Sequence, residues 1–151
     1  VELISVSLNE LSAQLAGEYE EDFENRNLEL ICESENENII VKADSRISYR
    51  ILDNLMSNVK KYAMPGTRVY LNLSKTAAGG VLTLRNISQS RLNIPVSELL
   101  ERFVRADESR STEGSGLGLS IADNLCSLQG AQLELEINGD LFTARVTFPL
   151  A

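Results

Sequence analysis

Strand-like runs in this chain come in neighbouring pairs, and the helix-like runs fall between the pairs instead of alternating with single strands. Period-2 alternation or apolar clustering marks residues 28–32 and 39–41, then 68–73 and 81–87, then 132–137 and 142–148, after a short strand at 2–6. Helical spacing marks Leu8, Leu11, Leu15 and Tyr19, then residues 45–63, then a glycine-led run that stops at Gly130. This grouping predicts an α+β two-layer sandwich over a doubly wound parallel sheet. The polar stretch 33–38 reads as a hairpin loop joining the first strand pair, Ser7 or Asn9 as the first helix cap, and the acidic run 18–24 as that helix's solvated end. Asp44 caps the strongest helix and Pro65-Gly66 stops it. Residues 88–110 read as mostly irregular, with a short helix near 97–102, and the last strand pair closes around Asn138-Gly139-Asp140.

At 151 residues the chain fits one domain, 1–151, with enough length for a core of its own. It has 43% apolar residues and no apolar run near the roughly 18 residues that a membrane span needs. No signal-peptide pattern opens it, and with Val1 in place of Met at its start the chain is expected to be a piece of a longer protein. Net charge is −8, which argues against nonspecific binding to nucleic acid or anionic lipid. With no histidine and no ligand spacing around Cys32 and Cys126, a zinc site is not expected, and both cysteines read as reduced, buried residues of a cytosolic domain. The cations Lys60, Lys61, Arg102, Arg105 and Arg110 nevertheless gather in a few segments, a pattern that suits a small polyanion.

Two of those segments carry chemistry. Asn54, Asn58 and Lys61 are spaced i, i+4, i+7 on the central helix, so at 100° per residue they share an arc of roughly 60° beside the apolar stripe, with Tyr62 on its shoulder. A solvated polar face explains such spacing in most helices. Asparagine is a mediocre helix former, however, and two of them one turn apart carry a cost without structural return. Amide oxygens are hard ligands suited to Mg²⁺, which keeps most of its waters and bridges substrate phosphates. The second segment is the cluster Gly114, Gly116 and Gly118, which runs straight into the last helix. Glycines there make a tight turn, and they also let backbone N–H groups at a helix start approach a phosphate.

The string Asp53-Asn54-Leu55-Met56-Ser57-Asn58-Val59-Lys60-Lys61-Tyr62 resembles the N box of sensor histidine kinases. Leu100-Glu101-Arg102-Phe103-Val104-Arg105-Ala106-Asp107 resembles their F box, and Gly114-Ser115-Gly116-Leu117-Gly118-Leu119 their second glycine box. The three stand in the family's order, so the resemblance covers nearly the whole chain. It implies the ATP-binding catalytic domain of a two-component kinase with the Bergerat fold, a mixed sheet covered on one face by about three helices. Asn58 would ligate Mg²⁺, with Asn54 supporting metal or phosphates; Lys61 would contact phosphate and Tyr62 pack on the nucleotide. Arg105 would reach the terminal phosphate with Arg110 as helper, and Gly114, Gly116, Leu117 and Gly118 would form the phosphate-facing hinge. Leu84 and Ile87 read as strand core.

One box departs from the pattern. The family's first glycine box carries Asp-x-Gly-x-Gly, its aspartate accepting from the adenine amino group, where this chain has Asn86-Ile87-Ser88-Gln89-Ser90. The Asn86 amide can still accept, without the charge. The resemblance implies an ATP:protein-histidine kinase whose phosphoacceptor sits on a dimerisation domain of the same protein, with a response regulator downstream, a cytoplasmic location, and a monomer when the domain is alone. The alternative is a degenerate nucleotide-binding or partner-docking module without phosphotransfer. Other ATPases of this fold place a glutamate shortly before the metal-binding asparagine; here only Asp53 is available, on a different face, and Glu101 and Glu113 read as solvated.

Overall fold

The computed structural model describes residues 1–36, 38–90 and 117–151. In chain order its elements are β1 (Ile4–Ser7), α1 (Leu8–Asn25), β2 (Glu29–Ser34), β3 (Ile40–Ala43), α2 (Ser45–Tyr62), β4 (Arg68–Thr76), β5 (Gly79–Ile87), α3 (Leu117–Gln129), β6 (Gln132–Asn138) and β7 (Leu141–Phe148). The main sheet is five-stranded, in the order β2-β4-β5-β7-β6, and it is mixed: β2 runs parallel to β4 while the other pairs are antiparallel. On β4 the side chains of Val69, Leu71 and Leu73 are buried, while Tyr70, Asn72 and Ser74 between them are only partly covered. One face of the sheet therefore carries the helices and the other meets solvent. The expected α+β sandwich is the observed architecture.

Each helix follows from its apolar stripe and its cap. Ser7 accepts from the Glu10 N–H at 3.2 Å and starts α1, whereas Asn9 is used elsewhere, its Oδ1 accepting from the Ile39 N–H at 2.8 Å. The acidic run is the solvated end of α1, as expected. Tyr19 and Phe23 continue the stripe one turn apart, their rings 5.7 Å between centroids, so the helix runs to Asn25 with its carboxylates facing water. On α2 the stripe is Ile51, Leu52, Leu55, Met56 and Val59, all buried. With Leu8, Leu15, Phe23, Leu82, Leu119 and Phe148 these side chains form the core, each fully buried one contributing about 1.5–3 kcal/mol of transfer free energy.

Asp44 caps α2. Its carboxylate accepts from the backbone N–H of Glu2 at 2.8 Å and of Ile47 at 3.0 Å, and these two bonds hold its pKa below the ordinary carboxylate value. A depressed folded-state pKa means that the cap contributes stability above the unfolded pKa and loses it as pH falls through the folded one. Asp44→Asn keeps an acceptor that cannot ionise, so it is expected to flatten the acid limb of stability; urea melts between about pH 5 and pH 2 check this.

Three expectations are corrected. Residues 28–32 and 39–41 do not form a hairpin: β2 pairs with β4, and β3 pairs with β1 in a separate two-stranded sheet. The tail after β7 then holds β3 from its other side, the Lys42 N–H donating to Pro149 O at 2.8 Å and Val41 bridging Leu150. The gap between the strands expected at 68–73 and 81–87 is much shorter, because β4 extends to Thr76 and β5 begins at Gly79. Cys126 is buried as expected, but Cys32 is exposed, since β2 is an edge strand with a neighbour on one side only. The helix expected near 97–102 lies outside the described residues.

Candidate functional site

The C-terminal half of α2 and the end of β5 meet at one junction. Met64 N–H donates to Ile87 O at 2.7 Å, Gln89 N–H donates to Tyr62 O at 2.9 Å, and Ala63 bridges Ser88. Asn86 precedes that bridge by two residues, on the same helix-facing side of the strand as Ser88, and both are buried. On α2 the one-turn spacing sets Asn54, Asn58 and Lys61 along the flank of the apolar stripe. Asn58 is 8% exposed, so it sits deeper than a solvated polar face would place it.

Two amide atoms at this junction are orphans. Among the described residues neither Asn54 Nδ2 nor Asn86 Oδ1 has a hydrogen-bond partner, although both atoms are buried and Asn86 as a whole is only 3% exposed. Leaving such an atom unsatisfied costs about 1–3 kcal/mol, so native proteins keep few of them without a functional reason. The charged neighbours divide by face. Lys60 pairs with Asp22 of α1 at 3.4 Å, whereas Lys61 makes no ion pair with any described residue. Asp53 is turned away, its Oδ1 accepting from the Tyr19 hydroxyl at 2.6 Å, and the Tyr19 pKa is pushed far up by burial and by that bond. A carboxylate engaged this way with α1 is not free to activate water on the α2 flank.

The helix α3 begins with Leu117 and Gly118. Gln129, at its far end, accepts from Asp44 N–H at 2.7 Å and donates to Ser48 Oγ at 3.0 Å, both partners lying at the start of α2. Since the two helices also pack on each other, they run antiparallel. At 1.5 Å per residue, Gly118 lies about 16 Å back along α3, and Val59 about 16 Å forward along α2. The start of α3 is thereby level with Asn58. Arg105, Arg110, Gly114 and Gly116 lie outside the described residues, as do the F box and the first half of the second glycine box.

Two depressions among the described residues lie elsewhere. One, of about 540 Å³, opens on the bare face of the sheet around Arg85 and Arg145, and another, of about 650 Å³, lies beside Asn27 and Tyr70. Neither suits a polyanion. Arg145 is already shared between Glu134 and Glu136 at 3.8 and 3.7 Å, and Arg85 stacks on Tyr70 and donates to Asn72.

The model of the family described as histidine kinase-, DNA gyrase B-, and HSP90-like ATPase matches residues 43–151, which span α2, β5 and α3 together. The chain belongs to this family. Within this ATPase family its relatives are sensor kinases. It is 41% identical over 100 residues to the swarming motility regulation sensor protein RssA of Serratia marcescens, covering 66% of this chain and 21% of that protein. It is 29% identical over 149 residues to the histidine protein kinase SaeS of Staphylococcus epidermidis, covering 91% of this chain and 40% of SaeS. The chain thus spans well under two thirds of the length of these curated relatives. Its fold is that of the catalytic domain of histidine kinase ThkA, with a TM-score of 0.84 at 23% identity over 99% of this chain and 97% of that one. The mycobacterial sensor histidine kinase MprB gives 0.74 at 23% identity, over 98% and 97% of the two chains.

Family membership implies ATP binding. Sequence reasoning named Asn54, Asn58, Lys61, Tyr62 and Asn86; the first four lie on α2 and Asn86 on β5, and the ends of these two elements meet at Ala63 and Ser88. It missed Gln129 and Ser48, which lie 81 residues apart and give no local signal.

Proposed function

We propose that this chain binds Mg·ATP at the α2–β5–α3 junction and passes the γ-phosphate to a histidine on a separate dimerisation domain of the same protein, in two-component signalling. The observation that carries the reading is the pair of buried amide atoms without a hydrogen-bond partner, Asn54 Nδ2 on α2 and Asn86 Oδ1 on β5, in an ATPase-family fold. Asn86 Oδ1 is placed to accept from the adenine amino group, as an amide can. Tyr62 supplies a flat apolar surface for base or ribose, and Lys61 a point charge for phosphate. Arg105 neutralises charge at the terminal phosphate, with Arg110 assisting.

Asn54 and Asn58 fit Mg²⁺ by donor chemistry, since both carry hard amide oxygens on adjacent turns of one face. Among the described residues no cluster of three or more Asp, Glu, Cys or His side chains could hold the ion unaided, so Asn54 and Asn58 would hold it together with substrate phosphates and water. When bound, the ion supplies charge neutralisation between the phosphates. We assign Gly114, Gly116, Leu117 and Gly118 to the phosphates, because backbone N–H groups leading into a helix suit an anion. The acceptor nitrogen forms its bond to the γ-phosphorus as the bond to the ADP oxygen breaks, so the chain's task is positioning and electrostatics, with no base of its own required. A response regulator then receives the phosphoryl group. The cytoplasm, where ATP is available, is the compartment this assigns. ThkA has been crystallised in complex with the response regulator protein TrrA, which supports that partner class.

The sequence contains no histidine, so this chain alone is expected to bind Mg·ATP as a monomer and to accumulate no acid-labile phosphate from γ-labelled ATP. Joined to its histidine-bearing helical region it becomes labelled, because tethering raises the effective concentration of acceptor near donor. If the longer protein binds Mg·ATP and stays unlabelled, the chain is a nucleotide-binding regulatory module instead. At the base, Asn86→Asp is expected to tighten ATP by roughly fivefold, the difference of about 1 kcal/mol between a charged and a neutral hydrogen bond. Calorimetry with ATP and GTP checks this, and equal affinity of the wild type for both nucleotides removes Asn86 from base reading.

A further inference from the structure

Gln129 is a buried amide, 4% exposed, at the end of a helix whose inward residues Leu119, Ala122 and Cys126 are apolar and equally buried. Its Oε1 accepts from Asp44 N–H at 2.7 Å and from Ser48 Oγ at 3.4 Å, and its Nε2 donates to Ser48 Oγ at 3.0 Å. Ser48 is itself fully buried. The same Asp44 caps α2 and holds the Glu2 N–H, so the clasp sits where β1, α2 and α3 converge, at the end of α2 remote from Asn58. Capping alone does not call for it, since Asp44 already caps α2 with its own carboxylate.

Apolar contacts are non-directional, so Leu119, Ala122 and Cys126 hold α3 against α2 without fixing its axial position. A slip of one residue moves the helix start by 1.5 Å and turns it by 100°. Directional bonds in a buried site exclude such a slip, because a displaced Gln129 would leave its own amide, Asp44 N–H and Ser48 Oγ short of partners. We infer that Gln129 is a positioning residue: its clasp on Asp44 and Ser48 sets the register at which α3 carries Leu117 and Gly118 to the level of Asn58, and so sets affinity for the nucleotide's phosphates. The inference rests on the Mg·ATP reading above. It assigns the clasp an effect on phosphates and none on the base, whose partner Asn86 is held by β5.

The test is an NMR titration of the chain with Mg·ATP and, separately, with adenosine, for the wild type, Gln129→Met and Ser48→Ala. Methionine keeps the volume and removes the bonds. Ser48→Ala removes one hydroxyl and keeps the packing, so the test stands if Gln129→Met does not fold. Misplacing the backbone donors is expected to weaken Mg·ATP roughly 10-fold in Gln129→Met and less in Ser48→Ala, with adenosine affinity unchanged. Folded variants that bind Mg·ATP as the wild type does, or that lose Mg·ATP and adenosine in parallel, overturn the positioning role and leave the clasp purely structural. A wild type that binds neither ligand overturns instead the nucleotide reading on which the role depends.

Discussion

Gly79→Ala is expected to lower the melting temperature by roughly 10 °C, corresponding to about 3 kcal/mol in a chain of this size. Gly79 opens β5 with φ at +145°, a region that L side chains rarely adopt. A Cβ built there would lie 2.1 Å from the Phe148 carbonyl oxygen. That oxygen belongs to β7 backbone next to β5, so relief requires moving a strand and not a rotamer. Gly80 provides the comparison. Its Cβ would meet side-chain atoms only, Val41 Cγ1 at 2.5 Å and Ile39 Cγ2 at 3.0 Å, so Gly80→Ala is expected to cost less, about 1–3 kcal/mol of overpacking. Thermal melts of both variants decide the ranking, and Gly79→Ala melting at or above Gly80→Ala would contradict it.

The clash at Gly79 illustrates what single-chain periodicity can and cannot read. A two-residue connection between β4 and β5 is visible only once both strands are paired, because Thr76 faces Gly79 across the ladder. The helices were legible since their signals are local: Asp44 ahead of the stripe Ile51, Leu55, Met56 and Val59 marks α2, and Gly130 marks the end of α3. Tyr19 carries the stripe of α1 into the acidic run, which marks that helix's solvated end. Strand partners were not local. β2 and β3 adjoin in sequence, yet β2 finds its parallel neighbour across β3 and α2, and β3 is drawn between β1 and the C-terminal tail. Alternation gives a strand its faces and leaves its neighbour open. The same division holds at the site. Asn54, Asn58 and Lys61 share a helix face and declare themselves by spacing, while Asn86 stands out only beside the family pattern, and the Ser48–Gln129 clasp emerges only when α2 and α3 are packed.

Asn58→Ala is expected to abolish most of the Mg²⁺ dependence of ATP binding while leaving the chain folded. Loss of a group in the shell next to a metal ligand costs about 10–100-fold in metal affinity, and a direct ligand is expected to cost at least that much. The sequence alone placed this amide on a solvated flank, where its removal would not affect packing. At 8% exposure it is nearly enclosed, so a modest stability loss of about 1 kcal/mol accompanies the substitution. The two effects separate cleanly. Affinity for ATP is measured with Mg²⁺ and with EDTA on the same sample whose melting curve is recorded, so a folded variant reports on the ligand alone. In the wild type Mg²⁺ is expected to tighten ATP, since on the proposed reading the Asn58 oxygen would help hold the ion. In Asn58→Ala the two affinities converge. Asn58→Asp separates charge from geometry: a carboxylate oxygen stands close to where the amide oxygen was, so Mg²⁺ dependence returns, whereas ATP without the ion meets an added negative charge and binds more weakly than to the wild type. Full Mg²⁺ dependence in folded Asn58→Ala would remove this residue from the metal site and leave Asn54 as the remaining amide on that face of α2.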